Sequence, residues 1–493
     1  MRYNLAVGEC SDAWNNHSHI PGEEMSETVA VPIWLAILVL MLAALWILSQ
    51  LLMPGVRWYI HKRVNRTAEE LNIRLRLKIK PFKLTRRQTL IDRLSYDPEV
   101  LKAAEKKAEA EGMPREVVAS EVKGYAREIV PAFNAYFYFR FGCWLAKIIA
   151  QSLYRVRLGF VDDESLAKIP ENACVVFLIN HRSNTDYILV SYLAASRTAL
   201  SYAVGEWARI WPLQTLLKAM GAYFVRRRSR NPLYRKVLER YVHMATQAGM
   251  VQALFPEGGL SRDGLLLPPR LGLLSYMLKS FDPEDSRDLV FIPVGLNYDR
   301  VLEDRSLLLM DRSDVEPKGG WITFVTTVKF LMHNVGLMFR KQWHRLGYAV
   351  VNFGPPISMK EYMAEHQLDF RKLDKDQLFS QVETLGQMAM SAISEVIPVT
   401  PVALVSMVFE RRIGEKMSEL ELKAEAHKLI NELEKAGAHI YIPRSNQDYA
   451  ITVGLRMLTL RHIIEENDGL FSTRSDDIEL LRYYSNSIAH FLA

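Results

Sequence analysis

Apolar residues between about positions 156 and 354 fall into short runs that are separated by segments long enough for helices. The runs cover residues 173–179, 222–225, 251–255, 290–296 and 348–353. Each run ends in polar or glycine-containing residues, which is typical of a buried strand that leads into a loop. Strands that alternate with helices predict an α/β fold with a mixed sheet flanked by helices. In such sheets ligands bind where the strands end.

The segments on either side of this region follow other patterns. Residues 71–79 alternate between apolar and polar, mostly basic, side chains, which indicates a strand or extended segment, and residues 97–124 have a charged helical pattern. Residues 132–158 are rich in aromatic side chains and contain Arg140 and Lys147, which is compatible with an amphipathic helix at a membrane interface or with a core helix. After residue 358 the pattern is helical and polar up to residue 493.

One stretch of the sequence, from residue 28 to residue 56, is uncharged, and its apolar part at 29–53 is long enough to cross a membrane as a helix. A cleaved signal peptide is the alternative, but the preceding residues are acidic, the apolar run is too long, and no small-residue cleavage site follows it. We therefore expect one transmembrane helix in the cell membrane. Because basic residues follow this helix and acidic residues precede it, we expect the N-terminus outside and the chain after residue 57 in the cytoplasm.

The composition and charge narrow the class of protein. The chain has 493 residues, of which 49% are hydrophobic and 24% charged, and these proportions exclude a disordered chain and a small disulfide scaffold. The net charge of +6 arises mainly in residues 57–94, which contain twelve basic and three acidic side chains. Because this basic block directly follows the apolar segment, we expect it to contact anionic lipid. The chain after it is nearly neutral and shows no nucleic-acid-binding module, so we do not expect a nucleic-acid partner. The three cysteines have neither zinc-site nor disulfide spacing.

His181 and Asp186 form the first candidate site, between the apolar run 173–179 and an apolar helical pattern. Histidine is the natural general base near neutral pH, and a carboxylate on its other ring nitrogen would hold the tautomer and stabilise the imidazolium ion. The same spacing allows a simpler role, because Ser183 and Asp186 before an apolar run form a helix-capping pattern. On this segment alone both interpretations stay open.

A second candidate site lies in ALFPEGGLSRDG, residues 253–264, where an apolar run ends in a glycine-rich turn. Glycines let main-chain N–H groups approach an anion closely, so the turn that begins at Glu257 and Gly258 is suited to accept phosphate. Ser261 and Arg262 add hydrogen-bond donors. The alternative is an ordinary strand-to-loop turn with an exposed glutamate.

Two further segments continue the pattern. In GAYFVRRRSR, residues 221–230, an apolar run ends in Arg226, Arg227 and Arg228, whose planar guanidinium groups suit phosphate recognition. The alternatives are a solvated basic patch and a nucleic-acid contact, but the broad basic face and known module that a nucleic-acid contact requires are absent from the sequence. In LVFIPVGLNYDR, residues 289–300, Pro293 cannot donate to a strand ladder. We therefore expect that strand to be interrupted at Pro293 or to lie at a sheet edge.

In this order and spacing, the four segments resemble the four sequence blocks of the glycerolipid acyltransferases. The segment from Asn180 to Asp186 matches the block in which four residues separate a histidine from an aspartate. Residues 221–227, 255–262 and 292–294 match the second, third and fourth blocks. Within this superfamily the chain most resembles the glycerol-3-phosphate acyltransferases, through NHRSNTDY, FIPVGLNYDRVLED and IPVTPVALVS.

The resemblance implies a membrane-bound enzyme of phospholipid biosynthesis. It would move a fatty acyl group from acyl-CoA or acyl carrier protein to the sn-1 hydroxyl of glycerol 3-phosphate, with no metal and no cofactor besides the acyl donor. His181 would be the base, and Asp186 would orient it. The substrate would be bound by residues of the second and third blocks: Arg226, Arg227, Glu257, Gly258, Ser261 and Arg262. That branch usually has arginine where this chain has Leu260, so an acyltransferase with another acceptor, such as lysophosphatidate, is the alternative.

Pattern and resemblance together predict five segments along the chain. They are an extracytoplasmic tail at 1–28, a transmembrane helix at 29–53, a basic juxtamembrane and helical region at 54–130, an acyltransferase domain at 131–358 and a helical C-terminal region at 359–493. The expected partners are the lipid bilayer, the phosphorylated acceptor and the acyl donor, and not nucleic acid.

Overall fold

The computed structural model describes residues 81–194, 200–205, 208–209, 211, 213–226, 229–279, 281–284, 287–312 and 346–492. Within them eight strands form one sheet: β1 Arg155–Val161, β2 Cys174–Ile179, β3 Ser201–Val204, β4 Tyr223–Phe224, β5 Gln252–Leu254, β6 Leu289–Tyr298, β7 Tyr348–Phe353 and β8 Ile357–Ser358. The five predicted strands are confirmed as β2, β4, β5, β6 and β7. The short strands β1, β3 and β8 were not predicted.

The sheet is mixed, with a large parallel part. Its strand order is β1-β7-β6-β2-β5-β3-β4, and β8 also pairs with β6. All neighbours from β6 to β4 are parallel, whereas β7 and β8 run antiparallel to β6. The carboxyl ends of β2, β3, β4, β5 and β6 therefore lie at one edge of the sheet, where the loops with the candidate residues begin.

Helices precede, connect and follow the strands. Before the sheet come α1 Pro81–Leu84, α2 Arg87–Ser95, α3 Pro98–Glu111 and α4 Arg115–Ile129, then a continuous helical stretch of α5 Ala135–Phe137, a π-helical turn Tyr138–Gly142 and α6 Cys143–Leu153. Between the strands lie α7 Asp163–Ala167, α8 Asp186–Ala194, α9 Leu213–Ala219, α10 Pro232–Gln247, α11 Gly272–Leu278 and α12 Asp304–Arg312. The single helical pattern predicted at 97–124 is thus two helices, because Gly112 has a φ of 62° and ends α3.

The chain after β8 is mainly helical. It contains α13 Met359–Glu365, α14 Lys375–Glu395, α15 Pro401–Arg411, α16 Glu419–Lys435, α17 Gln447–Leu460 and α18 Ile478–Ser485. Three short 3₁₀ turns lie at Pro443–Ser445, Ser475–Asp477 and Ala489–Phe491. The strands β9 Met417–Ser418, β10 Ile464–Asn467 and β11 Leu470–Thr473 form a small antiparallel sheet that the polar helical pattern did not indicate.

Alternate side chains of β2 show that helices cover both faces of the large sheet. Val175, Phe177 and Ile179 lie in a buried apolar cluster with residues of α8 and of the C-terminal helices α15 to α18. Cys174, Val176 and Leu178 point to the other face, into a cluster with residues of α2 to α4, α10 and α14. Because successive side chains of a strand point to opposite faces, a strand apolar at every position is covered on both sides.

Two expectations about the fold are corrected. The fold was expected to include one membrane-spanning helix, but among the residues that the structure describes no helix is both long and apolar enough to cross a membrane. The segment assigned to that helix, 29–53, and the extended segment at 71–79 lie outside the described residues.

The expectation for Pro293 is also wrong. β6 runs unbroken through Pro293 and lies inside the sheet, with β2 on one side and β7 and β8 on the other. The Pro293 carbonyl accepts a hydrogen bond from Gly354 N, so this residue's main-chain polar groups point toward the β7 side. On that side, β8 pairs with β6 before Pro293, and β7 pairs with β6 after it. Pro293 lies in the gap between the two pairings, so no neighbouring strand requires an N–H donor from it.

Candidate active site

The end of β2 is fixed to β6 by the side chain of Asn180. Its Nδ2 donates to the carbonyl of Leu296 at 2.9 Å, and its Oδ1 accepts from Leu296 N at 2.7 Å. The side chain thus continues the ladder where the backbone of β2 turns away from the sheet. His181 therefore leaves the sheet from a rigid point.

His181 and Asp186 are in contact, as the catalytic interpretation requires. Nδ1 of His181 lies 2.9 Å from Oδ2 of Asp186, and both side chains are almost completely buried. The same carboxylate oxygen accepts from the main-chain N–H groups of Arg182 at 2.8 Å and Ser183 at 3.0 Å. Asp186 therefore serves both interpretations, because it binds the imidazole and also satisfies the N–H groups that precede α8.

The imidazole ring lies among aromatic side chains. Its centroid is 4.3 Å from that of Phe255 and 5.5 Å from that of Tyr187. Among the described residues none hydrogen-bonds Nε2 of His181, so this nitrogen is the atom available to take up a proton. Since Asp186 binds Nδ1, a neutral His181 with its proton on Nδ1 presents an unprotonated Nε2.

The main chain of His181 is bound on both sides by the third block. His181 N donates to Oε1 of Glu257 at 2.7 Å, and the carbonyl of His181 accepts from Ser261 N at 3.1 Å. The other carboxylate oxygen of Glu257 accepts from Leu267 N at 2.9 Å. Burial raises the pKa of Glu257, and these two main-chain hydrogen bonds oppose the shift. Glu257 thus fixes the position of the base and is not an exposed carboxylate.

The glycine-rich turn lies directly beside these contacts. Gly258 has a φ of 66°, and a Cβ there would lie only 2.6 Å from Cγ of Arg270, so glycine is required. Ser261 Oγ donates to the carbonyl of Leu265 at 2.7 Å and closes the following loop, while Arg262 is exposed. Arg270, which the sequence did not single out, is brought onto this turn by the fold.

Arg226 lies apart from the dyad. It follows β4, three strands from β2, which corresponds to roughly 14 Å at the usual strand spacing. Its Nε and Nη2 donate to the two carboxylate oxygens of Glu128 at 2.8 and 2.7 Å, and its guanidinium lies near the rings of Tyr125 and Tyr234. Arg227 lies outside the described residues.

The C-terminal region contacts the loop that follows the turn. Arg182 is buried and donates from Nη1 to the carbonyl of Gly264 at 2.5 Å, and Asn486 Nδ2 donates to the carbonyl of Asp263 at 2.9 Å. Gly264 packs so tightly that a Cβ would lie 2.0 Å from the carbonyl oxygen of Tyr483. Residues near the end of the chain thus support the loop that bounds the site.

Sequence reasoning missed two side chains that bind this loop, Tyr298 and Glu303. The Tyr298 hydroxyl donates to Asp186, and the Glu303 carboxylate accepts from Ser183 Oγ at 2.7 Å and from the side chain of Asn184 at 3.2 Å. Burial raises the pKa of Glu303, the hydrogen bond from Ser183 opposes the shift, and the charge of Asp186 adds to it. Tyr298 ends β6 and Glu303 follows it, and this position at the end of a strand that neighbours β2 was the available signal.

The arrangement is suited to proton transfer at a buried imidazole. Among the described residues, no group of three or more histidine, cysteine, aspartate or glutamate side chains is placed to hold a metal ion. The roles of Arg226, Arg227, Glu257, Gly258, Ser261 and Arg262 in substrate binding stay predictions.

Two family models match the chain. Residues 161–297 match the model described as Acyltransferase, and residues 335–493 match the one described as Glycerol-3-phosphate acyltransferase C-terminal region. The first match includes all four blocks completely. The second includes the C-terminal helices that contact the site loop.

Curated relatives named glycerol-3-phosphate acyltransferase are similar over most of the chain. The protein of Pseudomonas putida is 26% identical over 88% of this chain and 52% of its own length, and that of Pseudomonas fluorescens is 28% identical over the same shares. The protein of Pseudomonas paraeruginosa is 30% identical over 66% of this chain and 38% of its own length. The chain spans about half the length of the curated relatives it matches. A crystal structure of a lysophosphatidate acyltransferase from Thermotoga maritima aligns with 51% of the chain at 16% identity and a TM-score of 0.30.

Proposed function

We propose that the chain acylates glycerol 3-phosphate, because the two acyltransferase family models and the curated relatives that match it agree with the resemblance of its four blocks. The acyl group would come from the thioester of acyl-CoA or acyl carrier protein and would go to the sn-1 hydroxyl. One observation carries the proposal: a buried His181–Asp186 pair, joined through Nδ1 of the imidazole, at the carboxyl edge of the parallel part of the sheet.

The reaction follows from the geometry of the pair. Nε2 of His181 takes the proton of the acceptor hydroxyl, and the resulting oxygen nucleophile attacks the thioester carbonyl carbon. The tetrahedral intermediate collapses, the C–S bond breaks, and the imidazolium returns its proton to the leaving thiolate. Asp186 stabilises the imidazolium in between. These reaction steps need no covalent enzyme intermediate, no metal and no further cofactor.

The acceptor's phosphate would bind at the turn formed by residues 257–262. Ser261 N donates to the carbonyl of His181, so this turn lies directly beside the residue that carries the base. Arg262 is exposed beside it, and the stem of Arg270 covers Gly258. In our proposal these two guanidinium groups bind the phosphate. Arg226 then acts further along the same sheet edge, and a role for Arg227 stays a prediction from the sequence.

The acceptor is tested directly with the purified chain, a labelled acyl-CoA or acyl carrier protein, and two acceptors in parallel. We expect a labelled lysophosphatidate product from glycerol 3-phosphate and at most slow acylation of lysophosphatidate itself. Acylation of lysophosphatidate without acylation of glycerol 3-phosphate would overturn the proposed acceptor. Leu260 motivates that comparison, because the glycerol-3-phosphate acyltransferases usually have an arginine at this position. In this chain Leu260 packs against the apolar core.

The proposal extends to contact with a lipid bilayer. The helical stretch from α5 to α6 exposes Phe139, Phe141, Trp144 and Ile148, each between 39 and 52% accessible. The rings of Phe141 and Trp144 lie 6.0 Å apart, and residues 135–153 contain two basic and no acidic side chains. Aromatic side chains beside basic ones suit the interface of an anionic membrane. We propose that this surface binds the cytoplasmic face of the membrane, where soluble acyl donors are present.

Replacing Phe141 and Trp144 with serine is expected to weaken binding to vesicles that contain anionic phospholipid by about tenfold or more, since each ring contributes apolar area. Vesicle sedimentation measures this change. Leu420→Ser is the control, because Leu420 is 78% accessible but lies on α16 in the C-terminal region. Unchanged binding of the double variant, or an equal loss with Leu420→Ser, would contradict the assignment of this surface.

A further inference from the structure

The carboxylate of Asp186 uses its two oxygens differently. Oδ2 accepts from His181 and from two main-chain N–H groups, whereas Oδ1 accepts from the hydroxyl of Tyr298 at 2.5 Å. We propose that Tyr298 is a positioning residue that orients Asp186 and sets the strength of His181 as a base. The proposal rests on the proposed function, in which His181 removes the proton of the acceptor.

The register of the sheet explains how Tyr298 reaches the carboxylate. Ile179, the last residue of β2, pairs with Val294, so β6 continues for four residues beyond the end of β2. The end of β6 therefore lies alongside the loop that carries His181 and Asp186. On its other side Tyr298 pairs with Ala349 of β7, which prevents this end of the strand from moving freely.

Packing holds the Tyr298 ring in one place. Tyr298 is fully buried, and its ring centroid lies 5.1 Å from that of Tyr154. The hydroxyl of Tyr154 is used elsewhere, because it donates to the carbonyl of Arg300 at 2.9 Å. Asn297, the preceding residue, is fixed by hydrogen bonds from its Nδ2 to the carbonyl of Pro398 and to Ser487 Oγ.

The electrostatics keep Tyr298 a donor. Burial raises the pKa of Tyr298 well above its usual value of 10, and the charge of Asp186 raises it further, so the hydroxyl stays protonated at working pH. A hydrogen bond to an ionised carboxylate is stronger than one between neutral groups. It draws negative charge toward Oδ1 and away from the oxygen that faces His181. The other titratable or charged side chains with electrostatic influence in this region include Glu257, Arg182, Glu303, Tyr154 and Tyr484.

Tyr298→Phe tests the proposal through the pH dependence of kcat. Without the hydroxyl, more charge stays on Oδ2, the imidazolium is held more strongly, and the acid limb of the profile moves to higher pH. We also expect kcat to fall by about 10- to 100-fold, because the charged hydrogen bond that holds Asp186, and through it the His181 ring, in place is lost, with KM for both substrates unchanged. Tyr154→Phe, which removes a buried hydroxyl that does not bind Asp186, is the control and should leave the acid limb in place.

A second variant keeps the test decisive if Tyr298→Phe folds poorly. Incorporating 3-fluorotyrosine at position 298 preserves the ring and strengthens the hydroxyl as a donor, so the acid limb should move to lower pH. A purely structural role would not produce opposite shifts. An acid limb that stays in place in both variants would overturn the proposal.

A spectroscopic readout separates this proposal from the proposed function. The His181 Nδ1 proton, which bonds to Asp186, should give a downfield proton resonance in the wild-type chain even if no acyl transfer is detected. We expect this resonance to shift in opposite directions in Tyr298→Phe and in the 3-fluorotyrosine variant, and to stay in place in Tyr154→Phe. An unchanged resonance in both position-298 variants would contradict the role of Tyr298 whatever the acceptor is.

Discussion

Replacing His181 with alanine is expected to lower kcat for acyl transfer by at least about 100-fold, the lower range of general-base contributions. The variant loses the ring nitrogen that is proposed to take the acceptor's proton, while Asp186 keeps its hydrogen bonds to the main chain and to Tyr298. The fold should therefore persist. Initial rates at saturating donor and acceptor measure the loss, and thermal unfolding of the same preparation shows that the chain is folded.

The chain contains a matched control for this variant. Nε2 of His427 lies 2.9 Å from Oδ1 of Asp448, the same separation as in the buried pair, but these side chains are 40 and 62% accessible instead of 2 and 0%. His427→Ala should change the rate by no more than about twofold, as expected for a surface substitution. Equal rates for His181→Ala and the wild type would show that His181 is not the base.

Replacing Asp186 with asparagine is expected to lower kcat by about 10³- to 10⁴-fold. If the amide oxygen takes the place of Oδ2, the imidazolium loses its negative partner. If the amide is reversed, its NH₂ group meets the N–H groups of Arg182 and Ser183 and forces the His181 proton onto Nε2, which can then accept no proton. The first orientation weakens the base and the second removes it, so the effect should exceed that of most single substitutions near the site.

Unlike His181→Ala, this variant should also be less stable. The buried donors that now bind a carboxylate would have to share one neutral oxygen, so the free energy of unfolding should fall by about 1–3 kcal/mol. Asp448→Asn is the control, since its carboxylate is exposed. Kinetics and denaturant titrations measure both effects. A variant with asparagine at position 186 and wild-type kcat would contradict the proposed role of Asp186.

The sequence allowed the sheet and the pair to be predicted because both depend on local patterns. Buried parallel strands are apolar throughout, and five of them were found in this way. The loops after β2 and β5 meet because neighbouring parallel strands end at the same edge of a sheet. That geometry brings Glu257 onto the main chain of His181. The blocks alone did not show that contact.

The other features depend on contacts between residues far apart in the chain. The ion pair of Arg226 with Glu128 joins residues 98 positions apart, and the hydrogen bond of Tyr298 with Asp186 joins residues 112 positions apart. The prediction for Pro293 was wrong because a proline is tolerated within β6 where no neighbouring strand pairs with its N–H side. No local periodicity encodes such relations, so strand register and packing were needed to find them.

In the proposed reaction, the His181–Asp186 pair promotes the transfer of an acyl group to glycerol 3-phosphate. The most direct measurement incubates labelled glycerol 3-phosphate and an acyl thioester with the wild-type chain and, in parallel, with His181→Ala at equal folded concentration. The account predicts 1-acylglycerol 3-phosphate from the wild type and at most about one hundredth of that rate from the variant. The absence of product from the wild type with both acyl-CoA and acyl carrier protein as donors would contradict the proposed reaction. Equal amounts of product from the wild type and from His181→Ala would contradict the role of His181.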